Sequence, residues 1–158
     1  MILTGLRIAV RLLGTSNRRN DGASIGRLRT PGKGLVVIKL GVLDKAITAH
    51  ACWKARLRSA AGSGKFDSMT TAVKSDDHCE LGKWLYSADL SAADKQTEHY
   101  RAVQHLHAKF HLEAAKVVAL ALSGQKDAAA EAIEPGGQYA KVSSALTDAM
   151  LKWRDSLR

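Results

Sequence analysis

The stretch H105-L-H-A-K-F-H-L-E-A-A-K116 decides how the chain is to be read. Its apolar and histidine positions belong to a longer stripe of Tyr100, Val103, His107, Phe110, Ala114, Val117 and Ala121. Steps of three and four residues put all seven on one side of an α-helix, the pattern of a helix packed in a bundle. His107 therefore occupies a core position, and His111 lies one turn further along the same face. Residues four apart on a helix have Cβ atoms ~5–6 Å apart, so both imidazoles can reach one metal ion without bending the helix. By itself the pair is also compatible with two ordinary helical histidines, so the partners supplied by the rest of the chain matter.

Around this helix the sequence is helical throughout. Residues 41–60 place Leu43, Ile47, His50, Lys54 and Leu57 at four-three spacing, which predicts a first helix. A second, short helix is expected at S75-D-D-H-C-E-L-G-K-W-L-Y86, with Ser75 as its cap and acidic residues in its first turn. The longest helix is expected over residues 91–123, opened by a capping box of Ser91 and Asp94 and ended by Gly124. After a short turn and a break at Pro135-Gly136-Gly137, a last helix carries Tyr139, Val142, Leu146, Met150, Trp153 and Leu157. Residues 41–158 hold no strand pattern. The expected fold is all-α, an antiparallel bundle of about four main helices.

The chain has 158 residues, enough for one domain with a modest core, and a net charge of +9. That charge is unevenly placed. Residues 1–40 hold eight Lys and Arg against Asp21 alone, whereas residues 41–158 hold sixteen basic and fourteen acidic residues. The basic character thus belongs to a leader, residues 1–38, expected to be disordered or wrongly assigned, ahead of a nearly neutral domain at 39–158. Residues 14–35 have linker composition, and Arg7 and Arg11 interrupt the apolar start in a way a secretory signal would not. No apolar run approaches the ~18–20 residues that cross a bilayer. Nucleic-acid attachment through the leader would be unspecific, because no aromatic residues interleave with its arginines and no binding module is evident.

Two further elements turn metal-binding side chains toward the same interior. His50 lies on the inward seam of the first helix, where a hydrogen-bonded core histidine is the plain alternative. Cys79 lies at the start of the second helix, where the helix dipole lowers a thiol pKa. Gly82, three residues on, allows another helix to come close. Three nitrogens and a thiolate suit tetrahedral zinc. Cys52, two residues from His50, falls on nearly the opposite face and reads as a small packing residue rather than a ligand. His78 points about 100° away from Cys79 around the helix, and His99 and His105, off the His107 seam, are expected at the surface. A metalloprotease reading fails because Ala108 stands where a general-base Glu would follow the first histidine of the pair. A hemerythrin-like di-iron bundle is the alternative, but it needs bridging carboxylates, and Glu98 and Glu113 are off the seam. A structural zinc interaction module is a further alternative.

The three segments together resemble the signature of the chemoreceptor zinc-binding domain family. That signature is a His followed three residues later by an aromatic, then Cys-x-apolar-Gly-x-apolar, then His-x-x-x-His. His50 and Trp53 match the first part. Cys79, Leu81, Gly82 and Trp84 match the second, and His107 and His111 the third. Twenty-five residues separate Trp53 from Cys79 and twenty-two separate Trp84 from His107, gaps of the size usual in the family. The resemblance covers about residues 41–153.

The resemblance implies a zinc site made by His50, Cys79, His107 and His111. The tryptophans read most simply as core residues, with Trp53 and Trp84 as candidates to shield the metal. It implies a helical bundle that pairs as a homodimer, a bacterial cytoplasmic setting and a sensory rather than an enzymatic role. In such proteins, zinc occupancy or oxidation of the zinc-bound cysteine by hypochlorous acid alters a chemoreceptor or diguanylate cyclase output. This sequence holds no output domain, which points to a partner in trans.

Overall fold

The computed structural model describes residues 33–63, 73 and 75–158. All of them fall in a single compact unit. Helix α1 runs over Lys33–Ser63, α2 over Glu80–Tyr86, α3 over Ala92–Lys95, α4 over Glu98–Leu122, α5 over Lys126–Ile133 and α6 over Gln138–Ser156. Among the described residues there is no strand, and the all-α bundle expected from the sequence is found. Its long members are α1, α4 and α6. Helix α4 packs along α6, and both pack on α1, with α2 and α5 closing the sides.

The stripe on α4 is the centre of the core. Tyr100, Val103, His107, Phe110, Ala114, Val117 and Ala121 are all buried, as are Tyr139, Val142, Leu146, Met150 and Trp153 on α6. Large apolar side chains of this kind stabilise the fold by ~1.5–3 kcal/mol each through burial. Lys39, Leu43, His50, Leu57 and Ala61 are the buried positions of α1, with Ile47 packed at the edge of the core.

Two helix limits differ from the sequence expectation. Helix α1 begins at Lys33, so residues 33–38 of the presumed leader are helical. The remainder of that leader, residues 1–32, lies outside the described residues. The extension is anchored by Lys39, only 3 % exposed, whose Nζ lies 2.5 Å from Asp94 Oδ1. The expected single helix over 91–123 is instead two. The Ser91–Asp94 capping box is present, but α3 lasts one turn, and Thr97 then caps α4 by accepting a hydrogen bond from the Tyr100 backbone. A Thr that can satisfy a backbone N–H of the new first turn competes with continuing the old helix.

The breaks after α4 and α5 do follow the glycines. Gly124, at φ 81°, occupies the left-handed region that terminates helices, and the Gln125 backbone N–H reaches back 2.9 Å to the Leu120 carbonyl. Gly137 opens α6, and a Cβ there would stand 2.3 Å from the Glu131 carbonyl oxygen.

Candidate metal centre

Helices α1, α2 and α4 surround a cleft of about 700 Å³, and its walls include His50, Trp53, Cys79, Trp84, His107 and His111. Three of the four expected ligands converge there. Cys79 Sγ lies 3.2 Å from His107 Nε2, and His107 Nε2 lies 3.2 Å from His111 Nε2. One donor atom from each of the three residues falls within 4.8 Å of the other two. Donors around a tetrahedral zinc, at ~2.0–2.3 Å from the metal, stand roughly 3.3–3.6 Å from each other. Both 3.2 Å separations are close to that spacing, and the thiol and imidazole donors are those zinc prefers. The group found among the described residues consists of a thiol and two imidazoles, with no carboxylate.

Local structure explains how each donor is held. His107 and His111 are 2 % and 4 % exposed, fixed by the α4 stripe. The second nitrogen of His111, Nδ1, lies 3.0 Å from the Val73 carbonyl oxygen. A carbonyl only accepts, so Nδ1 carries the proton and Nε2 keeps its lone pair for the cleft. His107 Nδ1 is buried with no hydrogen-bond partner. Its ring is held by packing and by the edge-on His111 ring at 4.7 Å between centroids.

Cys79 is not inside the second helix but immediately before it. Residues Ser75–His78 form a turn, and Cys79 is the N-cap of α2, its sulfur accepting a hydrogen bond from the Gly82 backbone N–H at 3.3 Å. Ser75, expected as the cap, instead gives its hydroxyl to Asp77. Gly82 is required by crowding. A Cβ at that position would lie 1.8 Å from the Asp76 carbonyl oxygen, because the turn folds back over the first residues of α2.

Burial sets the protonation states. It lowers the pKa of His50 and of His107 to about 4, with the nearby His111 adding to the effect in both. Burial also lowers His111, against the opposing hydrogen bond to Val73. All three imidazoles are thus neutral bases at neutral pH, the form that coordinates metal. Burial raises the Cys79 thiol and outweighs the lowering by the Gly82 and Leu81 backbone N–H groups. The expectation that the helix start would lower this thiol is therefore reversed for the metal-free site, and coordination would have to displace the proton.

His50 is buried at 6 % exposed and lines the same cleft, but it stands outside the three-donor group. Its ring lies 4.0 Å from that of Phe110, and its Nε2 lies 3.2 Å from Ser143 Oγ on α6. Trp84 is buried and stacks obliquely on Trp153 at 5.2 Å, linking α2 to α6, whereas Trp53 is half-buried on the cleft wall. Cys52, expected as a small packing residue, is exposed instead; His78 is exposed, His105 is exposed as expected, and His99 is half-buried rather than at the surface. Sequence reasoning did not single out Val73 or Ser143. The first contributes a backbone carbonyl, which no side-chain pattern encodes, and the second is one serine among several on α6.

No curated protein and no solved structure matches this chain. The sequence pattern of one family does match, that of the chemoreceptor zinc-binding domain, over residues 50–118. The matched span begins at His50 and takes in Cys79, His107 and His111, the residues that line the cleft. Residues 50–118 thus match the chemoreceptor zinc-binding domain, and within them Cys79, His107 and His111 converge as a group able to hold a metal ion.

Proposed function

We propose that this chain binds one zinc ion through Cys79, His107, His111 and His50, and that it acts as a sensory or regulatory domain rather than an enzyme. The observation that carries this reading is the convergence of a thiol and two neutral imidazoles on one point of a cleft. Four protein donors leave no open coordination position for a substrate or catalytic water. The domain's occupancy, or the oxidation state of Cys79, is the signal, and a partner in trans, a chemoreceptor or a diguanylate cyclase, reads it. The chain works as a homodimer in the bacterial cytoplasm. Support for this setting comes from the family match.

The oxidant half of the reading rests on the chemistry of the sulfur. Cys79 is half-buried on the wall of the cleft, so a small oxidant reaches it. Attack of the thiolate on hypochlorous acid yields the sulfenic acid and chloride. The sulfur gives up two electrons and gains the oxygen, and a soft donor is lost from the site.

Metal analysis of the purified protein tests the core of the proposal. One zinc per chain is expected in the wild type, with a large loss in Cys79→Ser and none in Cys52→Ser. Iron in place of zinc would overturn it. Zinc release followed with a chromogenic chelator during hypochlorous acid treatment tests the redox half. Equal release from wild type and Cys79→Ser would leave a site that responds to zinc alone.

A further inference from the structure

Cys79 reaches the metal group from a turn, and a turn keeps a sulfur in place only if it is itself held. The bonds of Ser75 and His78 to Asp77 stay within the turn. The bond of Asp76 leaves it. Its Oδ2 accepts the hydroxyl of Tyr86, the last residue of α2, at 2.5 Å and across ten positions. That length is the one expected of an O–H donor on a carboxylate, the stronger class of hydrogen bond. Burial and the Asp76 carboxylate push the Tyr86 pKa up to about 12, so the hydroxyl keeps its proton through the neutral range. Gln104 of α4, three residues before His107, is a further side-chain partner of the same hydroxyl. Tyr86 is 43 % exposed, so its ring adds little to the core, and the hydroxyl is what the position contributes.

We propose that Tyr86 is a positioning residue for the metal group: by holding the Asp76 carboxylate it fixes the turn that ends in Cys79 and keeps the sulfur against His107. The inference rests on the zinc reading given above and deepens it. Three supports meet on this turn. The Asp76 carboxylate is tied to the far end of α2, its backbone carbonyl lies over Gly82, and Cys79 Sγ takes the Gly82 N–H at 3.3 Å. The first of these spans the whole of α2, from the turn to Tyr86, and so resists rotation of the turn about the helix start. Donor atoms have to be held within ~0.5 Å of their working positions. A turn free to rotate would carry Cys79 Sγ away from His107 Nε2, which stands 3.2 Å from it. The two histidines need no such support, because both are buried on α4.

The test compares Tyr86→Phe with the wild type on the full chain. The change removes one oxygen from an exposed ring, so the urea unfolding midpoint is expected to stay near that of the wild type. Zinc affinity, measured by competition against a chromogenic chelator, is expected to fall roughly tenfold, the scale of one hydrogen bond to a charged group. In an Asp76→Ala background, Tyr86→Phe causes no further loss. A second readout needs no metal. Iodoacetamide is applied to the chelator-treated protein, and Cys79 is expected to be alkylated faster in Tyr86→Phe, with the exposed Cys52 of the same chain as reference. Wild-type zinc affinity in Tyr86→Phe overturns the inference. So does an equal loss with and without Asp76, or a loss matched by a fall in the unfolding midpoint, either of which would mark a merely structural tyrosine. If the wild type holds stoichiometric zinc while one of these results is found, the proposed function stands without this inference. A wild type that takes up no zinc overturns the zinc reading. The alkylation rate of Cys79 then decides the inference, which an unchanged rate overturns and a faster one upholds.

Discussion

Cys79 Sγ and His107 Nε2 lie 3.2 Å apart, although twenty-eight positions separate them in the chain. The same sulfur accepts the Gly82 backbone N–H and so caps α2. One atom therefore serves both the metal group and the start of a helix, and substitutions separate the two duties. Serine is a good N-cap but a poor zinc donor, whereas alanine is neither. Cys79→Ser is expected to leave metal-free stability nearly unchanged, and Cys79→Ala to lower it by about 1 kcal/mol. Both lose zinc affinity. Thermal unfolding with and without a chelator measures the two effects side by side.

Gly82 tolerates no side chain, since an added Cβ would sit 1.8 Å from the Asp76 carbonyl oxygen. The obstacle is backbone, so the turn before α2 has to move. Gly82→Ala is expected to cost about 3 kcal/mol, the upper end of the range for overpacking. It should also displace Cys79 from His107 and lower zinc affinity. Urea unfolding and chelator competition read the two losses, and a variant with wild-type affinity would show that the turn adapts without moving the sulfur.

The Lys39–Asp94 pair gives the fold an acid limit. Partial burial pushes the Asp94 carboxyl up, but its hydrogen bonds to Lys39 and to Ser91 more than offset this, and the pKa lies below the ordinary 3.8. A carboxyl with a depressed folded pKa contributes stability that is complete above its unfolded value. That contribution is lost as pH falls from about 3.8 through the folded value. In Lys39→Met the folded pKa of Asp94 rises toward or above its unfolded value, so the melting temperature should fall less steeply in acid than in the wild type. Asp94→Asn should be the more damaging change near neutrality, at about 3 kcal/mol, because it leaves the buried Lys39 charge without its partner.

The same pair sets where the domain can be shortened. A chain beginning at Lys33 keeps all of α1 and the Lys39 anchor. It is expected to match the full chain in helicity and zinc affinity. A chain beginning at Leu40 lacks Lys39 and should melt at a lower temperature. Circular dichroism against temperature distinguishes them, and a clear loss in the Lys33 chain would show that residues before it contribute to the fold.

Much of this arrangement was legible in the sequence. The three-four repeat through Tyr100, His107, Phe110 and Ala121 dictates which side of α4 is buried, since only an apolar face gains from leaving water. The spacing of His107 and His111 on that face follows from helix geometry alone. Glycine at 124 and the Pro135-Gly136-Gly137 run mark their breaks because few other residues adopt those backbone conformations or fit so close an approach.

Tertiary structure decided the rest. Whether the helix opened by Ser91 would continue past Gln96 depended on Asp94 finding Lys39 on another helix and on Thr97 capping anew. The direction of the Cys79 pKa depended on burial, which outweighs the local N–H groups once α1 and α4 close around the sulfur. The hydrogen-bond partners of His111 and His50, the Val73 carbonyl and the Ser143 hydroxyl, come from distant segments. A sequence pattern specifies which faces are apolar and which side chains they carry. The hydrogen-bond partner of a buried imidazole is chosen only when separate helices meet, because only then is water removed and an acceptor required in its place.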